Sequence, residues 1–234
     1  MLPRPPTFAT VGRMARPRTF DEEAILDRAM ILFWRKGYEA TAMSDLVAEL
    51  GLGRGSIYAA FGDKHQLFIR ALGRYLDHQT RLLGTALDDE GPALAQLRDV
   101  LGRLLAADAA SGTAGCFSVN SIAELLPHDE EVAKLARRNL QYAEEAFTAQ
   151  LERASRDGEL APAITPREGA RLLLNLVQGL QIMRKVDPDP ARAAACLDST
   201  FALLSRSPGA AATPDDAPAM ASAALSGGPT TRPR

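Results

Sequence analysis

The chain has 234 residues, 46% hydrophobic and 24% charged, which fits a folded protein with a sizeable core and excludes a disordered or collagen-like one. The formal net charge of −2 excludes a general polyanion binder, but residues 1–82 hold 12 Lys+Arg against 9 Asp+Glu and the remainder 15 against 20, a mildly basic head on an acidic body. Cys116 and Cys196 are too few for a disulfide scaffold, and no apolar stretch approaches the ~18 residues of a membrane span.

In chain order, the N-terminal stretch MLPRPPTFATVGR lacks the apolar segment of a secretory signal, so a cytoplasmic protein is expected. Met14 leads directly into ARPRTFDEEAIL and reads as the natural start, with Met1 and residues 1–13 an over-long gene reading. A first helix is expected from about Phe20 to Lys36. Thr19 and Glu22 have capping-box spacing, Gly37 suits a left-handed stop, and Ile25, Ala29, Leu32 and Phe33 form the buried stripe. Residues 41–64, TAMSDLVAELGLGRGSIYAAFGDK, then hold two short amphipathic segments joined by a glycine-containing turn. Met43, Leu46, Val47 and Leu50 line the first, and Ile57 and Phe61 point inward from the second. That arrangement is a helix-turn-helix, whose second helix enters a DNA major groove.

A longer helix after Gly62-Asp63 runs through Leu67, Leu72 and Leu76 toward Leu83 and links head to body. Asp88-Asp89-Glu90-Gly91-Pro92 reads as a loop, and the helix after it runs to about Ala110. SGTAG (111–115) breaks that helix, and a short one follows from Cys116 to Leu126. Pro127-His128-Asp129 introduces a long helix to about Arg156. Thr165-Pro166-x-Glu168 starts another, to about Val186, and Asp189-Pro190 starts the last, to about Ser205. Residues 207–234, rich in Ala, Pro, Gly, Ser and Thr, read as a disordered tail. The expected fold is all-α, with no alternating strand. A three-helix helix-turn-helix head spans 19–66, a six-helix body 67–206, and a flexible arm 1–18.

Ile25-Leu26, Leu32-Phe33, Gly37-Tyr38, Thr41, Leu50-Gly51, Gly55-Ser56-Ile57-Tyr58, Phe61 and Asp63-Lys64-x-x-Leu67-Phe68 together resemble the head of TetR/AcrR-family transcriptional regulators. The body matches that family in architecture only. The resemblance implies a homodimer, each subunit with a DNA-reading head and a ligand pocket in the body, and a four-helix bundle where the last two helices meet their mates. It also implies that Lys64 binds phosphate. The expected partners are therefore double-stranded DNA with a palindromic operator and a small-molecule effector of unknown identity, the commonest outcome being repression relieved by ligand.

Within the second short helix, Arg54 is the candidate base reader, because a guanidinium can bond guanine O6 and N7 together. Gly55 lets the helix backbone approach DNA, and Ala60 could touch a thymine methyl. The hydroxyls of Thr41, Ser56 and Tyr58 are candidate phosphate donors, and Arg16 and Arg18 a candidate arm along the DNA. The plainer alternatives are a solvated Arg54 and a Tyr58 that only packs. Gly53 stands where the family usually supplies a capping side chain, which removes one possible phosphate contact.

In the body, Gly115-Cys116 lies at a helix start, where dipole and free N–H groups favour a thiolate, and GCFSVNSIAEL resembles the matching segment of family members that sense electrophiles or oxidants. A small buried side chain is the other reading of Cys116. Asn120 and Glu124, one turn apart, could pair or face the pocket; Asn175, Gln178 and Gln181 could line it or join the dimer bundle. His65, His78 and His128 are scattered without metal-ligand spacing, so neither metal nor cofactor is expected. An enzyme is not expected: the glycines at 51, 53 and 55 follow no strand, and a thiol enzyme would need His128 to cross from a turn to Cys116. A helical protein-interaction module would leave Arg54, Tyr58 and Lys64 without a common purpose.

Overall fold

A computed structural model describes residues 20–87, 91–110 and 115–206, and these hold nine helices. They are α1 (Glu22–Lys36), α2 (Met43–Leu50), α3 (Arg54–Phe61), α4 (Lys64–Ala86), α5 (Ala93–Ala110), α6 (Phe117–Leu125), α7 (Glu130–Arg156), α8 (Pro166–Met183) and α9 (Pro190–Leu204). The fold is all-helical, as expected. Its β content among the described residues is one isolated antiparallel bridge, Leu160 to Ser205. The arm with Arg16 and Arg18, the 88–90 part of the first loop, residues 111–114 and the tail from 207 lie outside the described residues.

Helix ends follow local chemistry. The N-cap of α1 is Asp21 rather than Thr19, and its carboxylate accepts from the Glu23 and Ala24 N–H groups at 3.0 and 3.3 Å. Asp shares the preference of Thr for this position and stands two residues nearer the helix; Thr19 lies outside the described residues. Asp63 caps α4, Asp129 caps α7, and Thr165 with Glu168 forms a full capping box on α8. α2 begins one residue later than Thr41 suggested: Ala42 is its N-cap, and Asp45 reaches back to the Ala42 N–H at 2.8 Å. α5 has a borrowed cap, since Glu159 from the α7–α8 loop accepts from Ala93 and Leu94 N–H at 3.1 and 3.0 Å. α8 stops at Met183, three residues short of expectation, as the chain turns.

Two apolar clusters divide the molecule. The first joins α1–α3 with the first half of α4, through Ile25, Phe33, Leu46, Ile57, Phe61, Phe68 and Leu72. It also takes in Phe117 and Leu125 of α6 and Val132 of α7. Each large apolar side chain buried this way contributes about 1.5–3 kcal/mol. The second cluster, from Leu83 onward, unites α5, α7, α8 and α9. α6 is therefore packed into the head's core although it belongs to the body in sequence.

Charges tie α1 to α4 along their length: Arg70 pairs with Glu22, and Arg74 with Asp27 (2.5 Å) and Glu23 (3.4 Å). Hydrogen bonding to Asp27 raises the Arg74 pKa further above its ordinary value. Arg28 of α1 covers the C-terminal end of α2, donating to the Leu50 carbonyl at 3.3 Å and to that of Glu49, where helix carbonyls lack intrahelical partners.

Candidate nucleic-acid interface and its link to the body

The turn between α2 and α3 starts at Gly51, in the left-handed region at φ 65°, with its N–H returning to the Val47 carbonyl. Gly53 then caps α3 without any side-chain hydrogen bond, as its lack of a side chain requires. Ile57 and Phe61, four residues apart, anchor α3 in the head core. The opposite side presents Arg54, Gly55, Ser56, Tyr58 and Ala59 to solvent, with Tyr58 46% exposed.

Three features of this face are costly for the isolated subunit. A cation at the first position of a helix opposes the macrodipole, yet Arg54 stands there with no acid in the first turn. A Cβ at Gly55 would meet nothing within 4 Å, so packing does not require glycine, and glycine inside a helix costs about 1 kcal/mol relative to Ala. A large aromatic ring stays nearly half exposed at Tyr58. All three make sense if the face meets something outside the chain.

Ala60 does not belong to that set. It is half-buried against the head core, beside Ile57 and Phe61, whereas Ala59 looks outward. Helical geometry could have shown this, since 57, 60 and 61 share one face. Thr41 is also corrected: it is fully buried, and its hydroxyl donates to the Gly37 carbonyl at 2.5 Å. Lys64 is half-buried. Its ammonium donates to the carbonyls of Tyr38 (2.9 Å) and Thr41 (3.0 Å) and lies 4.2 Å from the centre of the Tyr38 ring. Two of its three N–H groups hold the α1–α2 turn together rather than reaching outward.

The same turn is gripped from the body. Glu124 of α6 accepts from the Tyr38 N–H at 3.0 Å and the Glu39 N–H at 2.8 Å. Gly37 makes this possible: its φ is +85°, and a Cβ there would lie 3.1 Å from the Glu124 carboxylate. Trp34 of α1 donates its indole N–H to the Gly115 carbonyl at 3.1 Å and stacks on Phe117. His65, at the start of α4, has Nε2 2.7 Å from Asp129 and Nδ1 3.4 Å from Glu131. Burial raises the Asp129 pKa, but hydrogen bonds from the Val132 N–H, His65 and the Glu131 N–H outweigh it and leave the carboxyl below its ordinary value of 3.8.

Behind these links lies a cavity of about 80 Å³ bounded by α4, α5, α7, α8 and the start of α6. Cys116, the N-cap of α6, opens onto it, with Sγ 3.2 Å from the Tyr75 hydroxyl. Gln178 and the buried Gln181 line it as well, and the Gln181 amide oxygen accepts from Arg184 at 3.1 Å. Three other body residues from the sequence reading are placed differently. Glu124 serves the head turn. Asn175 is exposed and bonds the Arg171 carbonyl of its own helix at 2.9 Å. Asn120 is turned toward Gly115, where a Cβ would come within 3.4 Å of its Oδ1. Sequence reasoning missed Tyr75, Gln79, Thr80, Asn139 and Tyr142, which also line the cavity; their convergence depends on the packing of α4 against α7, which no local spacing reports.

Among the described residues, no helix is long and apolar enough to cross a membrane, and no group of three or more acidic, His or Cys side chains could hold a metal ion. Residues 25–71 match the family model described as bacterial regulatory proteins, tetR family, and residues 93–199 match the tetracyclin repressor-like C-terminal domain. The HTH-type transcriptional regulator YezE of Bacillus subtilis is 31% identical over 193 residues, 82% of this chain and 100% of that protein. The HTH-type transcriptional repressor ComR of Escherichia coli is 32% identical over 173 residues, 71% of this chain and 80% of that protein. A solved structure of a cysteine mutant of the TetR-family regulator CifR, complexed with 26-bp double-strand operator DNA, superposes with a TM-score of 0.72 at 27% identity, covering 81% of this chain and 100% of that one. The chain belongs to the TetR family of DNA-binding transcriptional regulators, which are not enzymes.

Proposed function

We propose that this protein is a homodimeric repressor that grips a palindromic operator and lets go when a small molecule enters the body cavity. The observation that carries the reading is the solvent face of α3, with an exposed Arg54 that has no bonding partner among the described residues and a Gly55 that packing does not demand. Arg54 reads a base edge, Gly55 and Ala59 allow close approach, and Ser56 and Tyr58 donate to phosphate. Lys64 positions the α1–α2 turn. Residues 19–66 act as the reading head and 67–206 as the sensing and pairing body, with Arg16 and Arg18 on an arm that adds salt-sensitive affinity. The repressors ComR and BdcR of Escherichia coli, 32% and 33% identical over the matched residues, and the operator complex of CifR support this reading.

Pairing through α8 and α9 would cover the apolar side chains Leu172, Val186 and Leu203, which are 55%, 80% and 78% exposed on or beside those helices. Two heads must reach successive major grooves about 34–36 Å apart, so a small shift abolishes simultaneous contact and most of the affinity. A ligand in the cavity would act through α6, whose first turn borders the cavity and whose Glu124 holds the head. The test is footprinting on DNA flanking the protein's own gene. The reading requires one protected, roughly symmetric site; uniform or absent protection overturns it.

A second reading rests on Cys116, which combines a helix N-terminus, access to the cavity and a hydroxyl at 3.2 Å. Here an electrophile would bond the sulfur and shift α6. If Cys116→Ser still releases DNA on electrophile treatment, this reading fails and the reversible ligand stands alone.

A further inference from the structure

The cavity's lining has a chemistry more specific than its apolar walls. Gln79 and Thr80 come from α4, Asn139 and Tyr142 from α7, and Gln178 from α8. None of these five side chains has a hydrogen-bond partner among the described residues. Together they offer both donors and acceptors, because amides and hydroxyls carry both. The described lining contains no Lys, Arg, His, Asp or Glu. Leu83, Leu101, Leu104, Phe147, Leu174 and Val177 supply the apolar remainder.

We propose that this cavity selects a small uncharged effector with an amide-like group, donor and acceptor together, on an apolar body, and rejects carboxylates and ammonium ions. The inference rests on reading the cavity as the effector site. An ion entering it would lose part of its hydration without meeting an opposite charge among the described lining residues. A neutral amide exchanges its water bonds for those of Gln178, Asn139 and their neighbours at little net cost. The volume of about 80 Å³, in a cavity partly open to solvent, limits how much of the ligand is enclosed rather than its total size.

The experiment uses the full-length dimer and ligand-observed saturation-transfer NMR with matched probes: propanamide, benzamide and nicotinamide, their parent carboxylates, and benzylammonium. At least one amide should bind saturably and about tenfold or more tighter than its carboxylate and than benzylammonium. Gln178→Glu should reverse the preference toward benzylammonium. A carboxylate or benzylammonium that binds wild type as well as the amides do overturns this inference and leaves the effector cavity standing. Unchanged selectivity in Gln178→Glu places the amide elsewhere and also overturns it. If no amide binds at all, this inference is overturned, whereas the reading of the cavity as an effector site stands or falls on operator release.

Discussion

Glu124→Ala isolates the link between body and reading head. The carboxylate accepts two backbone N–H groups of the α1–α2 turn at 2.8 and 3.0 Å. Hydrogen bonds to charged groups contribute about 1.5–3 kcal/mol each when shielded. Glu124 is exposed, so water replaces part of what is lost, and about 1 kcal/mol per bond is the reasonable figure, about 2 kcal/mol together. That corresponds to about a thirtyfold rise in the opening of the turn, since every 1.4 kcal/mol is tenfold. Amide hydrogen exchange at Tyr38 and Glu39 reads this directly, and both should speed up by about that factor. Exchange in the α5–α9 core, through Leu97 and Leu173, should stay as in wild type. Glu124→Gln, which keeps an acceptor but not the charge, should fall between the two. Unchanged exchange at Tyr38 and Glu39 would refute the claim that α6 holds the head.

Gly55→Ala should stabilise the free protein by up to about 1 kcal/mol through helix propensity while weakening operator binding, seen as a higher Tm beside a poorer gel shift; equal DNA affinity would return Gly55 to an ordinary surface position. Arg54→Ala should relax sequence preference at one operator position in each half-site, at about 1–3 kcal/mol, as read from competition with single-base operator variants. Lys64→Met should lower Tm and affinity but leave the slope of log K against log salt unchanged, because its ammonium serves two carbonyls; a slope flatter by about 0.9 per head would restore it as a phosphate contact. Asp129→Ala should cost about 1 kcal/mol at neutral pH through loss of the α7 cap. The folded Asp129 pKa lies below its unfolded value, so this stability is present above the ordinary value of 3.8 and disappears as pH falls through the folded one. Thermal unfolding of variant and wild type should therefore converge with acidification, and a constant gap would contradict the assignment.

Helix order was legible because each boundary is local. Asp63, Asp129, Thr165 and Gly51 announce ends by side-chain chemistry or by tolerance of positive φ. The solvent side of α3 was legible for the same reason, since Ile57 and Phe61 fix which way Arg54, Ser56 and Tyr58 turn. The inward bonds of Thr41 and Lys64 were not legible because their partners, the carbonyls of Gly37, Tyr38 and Thr41, become acceptors only once the α1–α2 turn folds back on α4. Glu124 is the plainest case. It bonds residues 85 and 86 positions away, and no spacing within α6 signals a partner in another domain.

The central claim is that two identical heads, each led by Arg54, read one DNA together. Its most direct test is affinity for a palindromic duplex selected by the purified protein from random DNA, compared with the same duplex with one half-site scrambled. The account predicts a symmetric selected sequence and at least about a hundredfold loss on scrambling, the lower range of gain from simultaneous engagement. Equal affinity for the intact and half-scrambled duplex would contradict it.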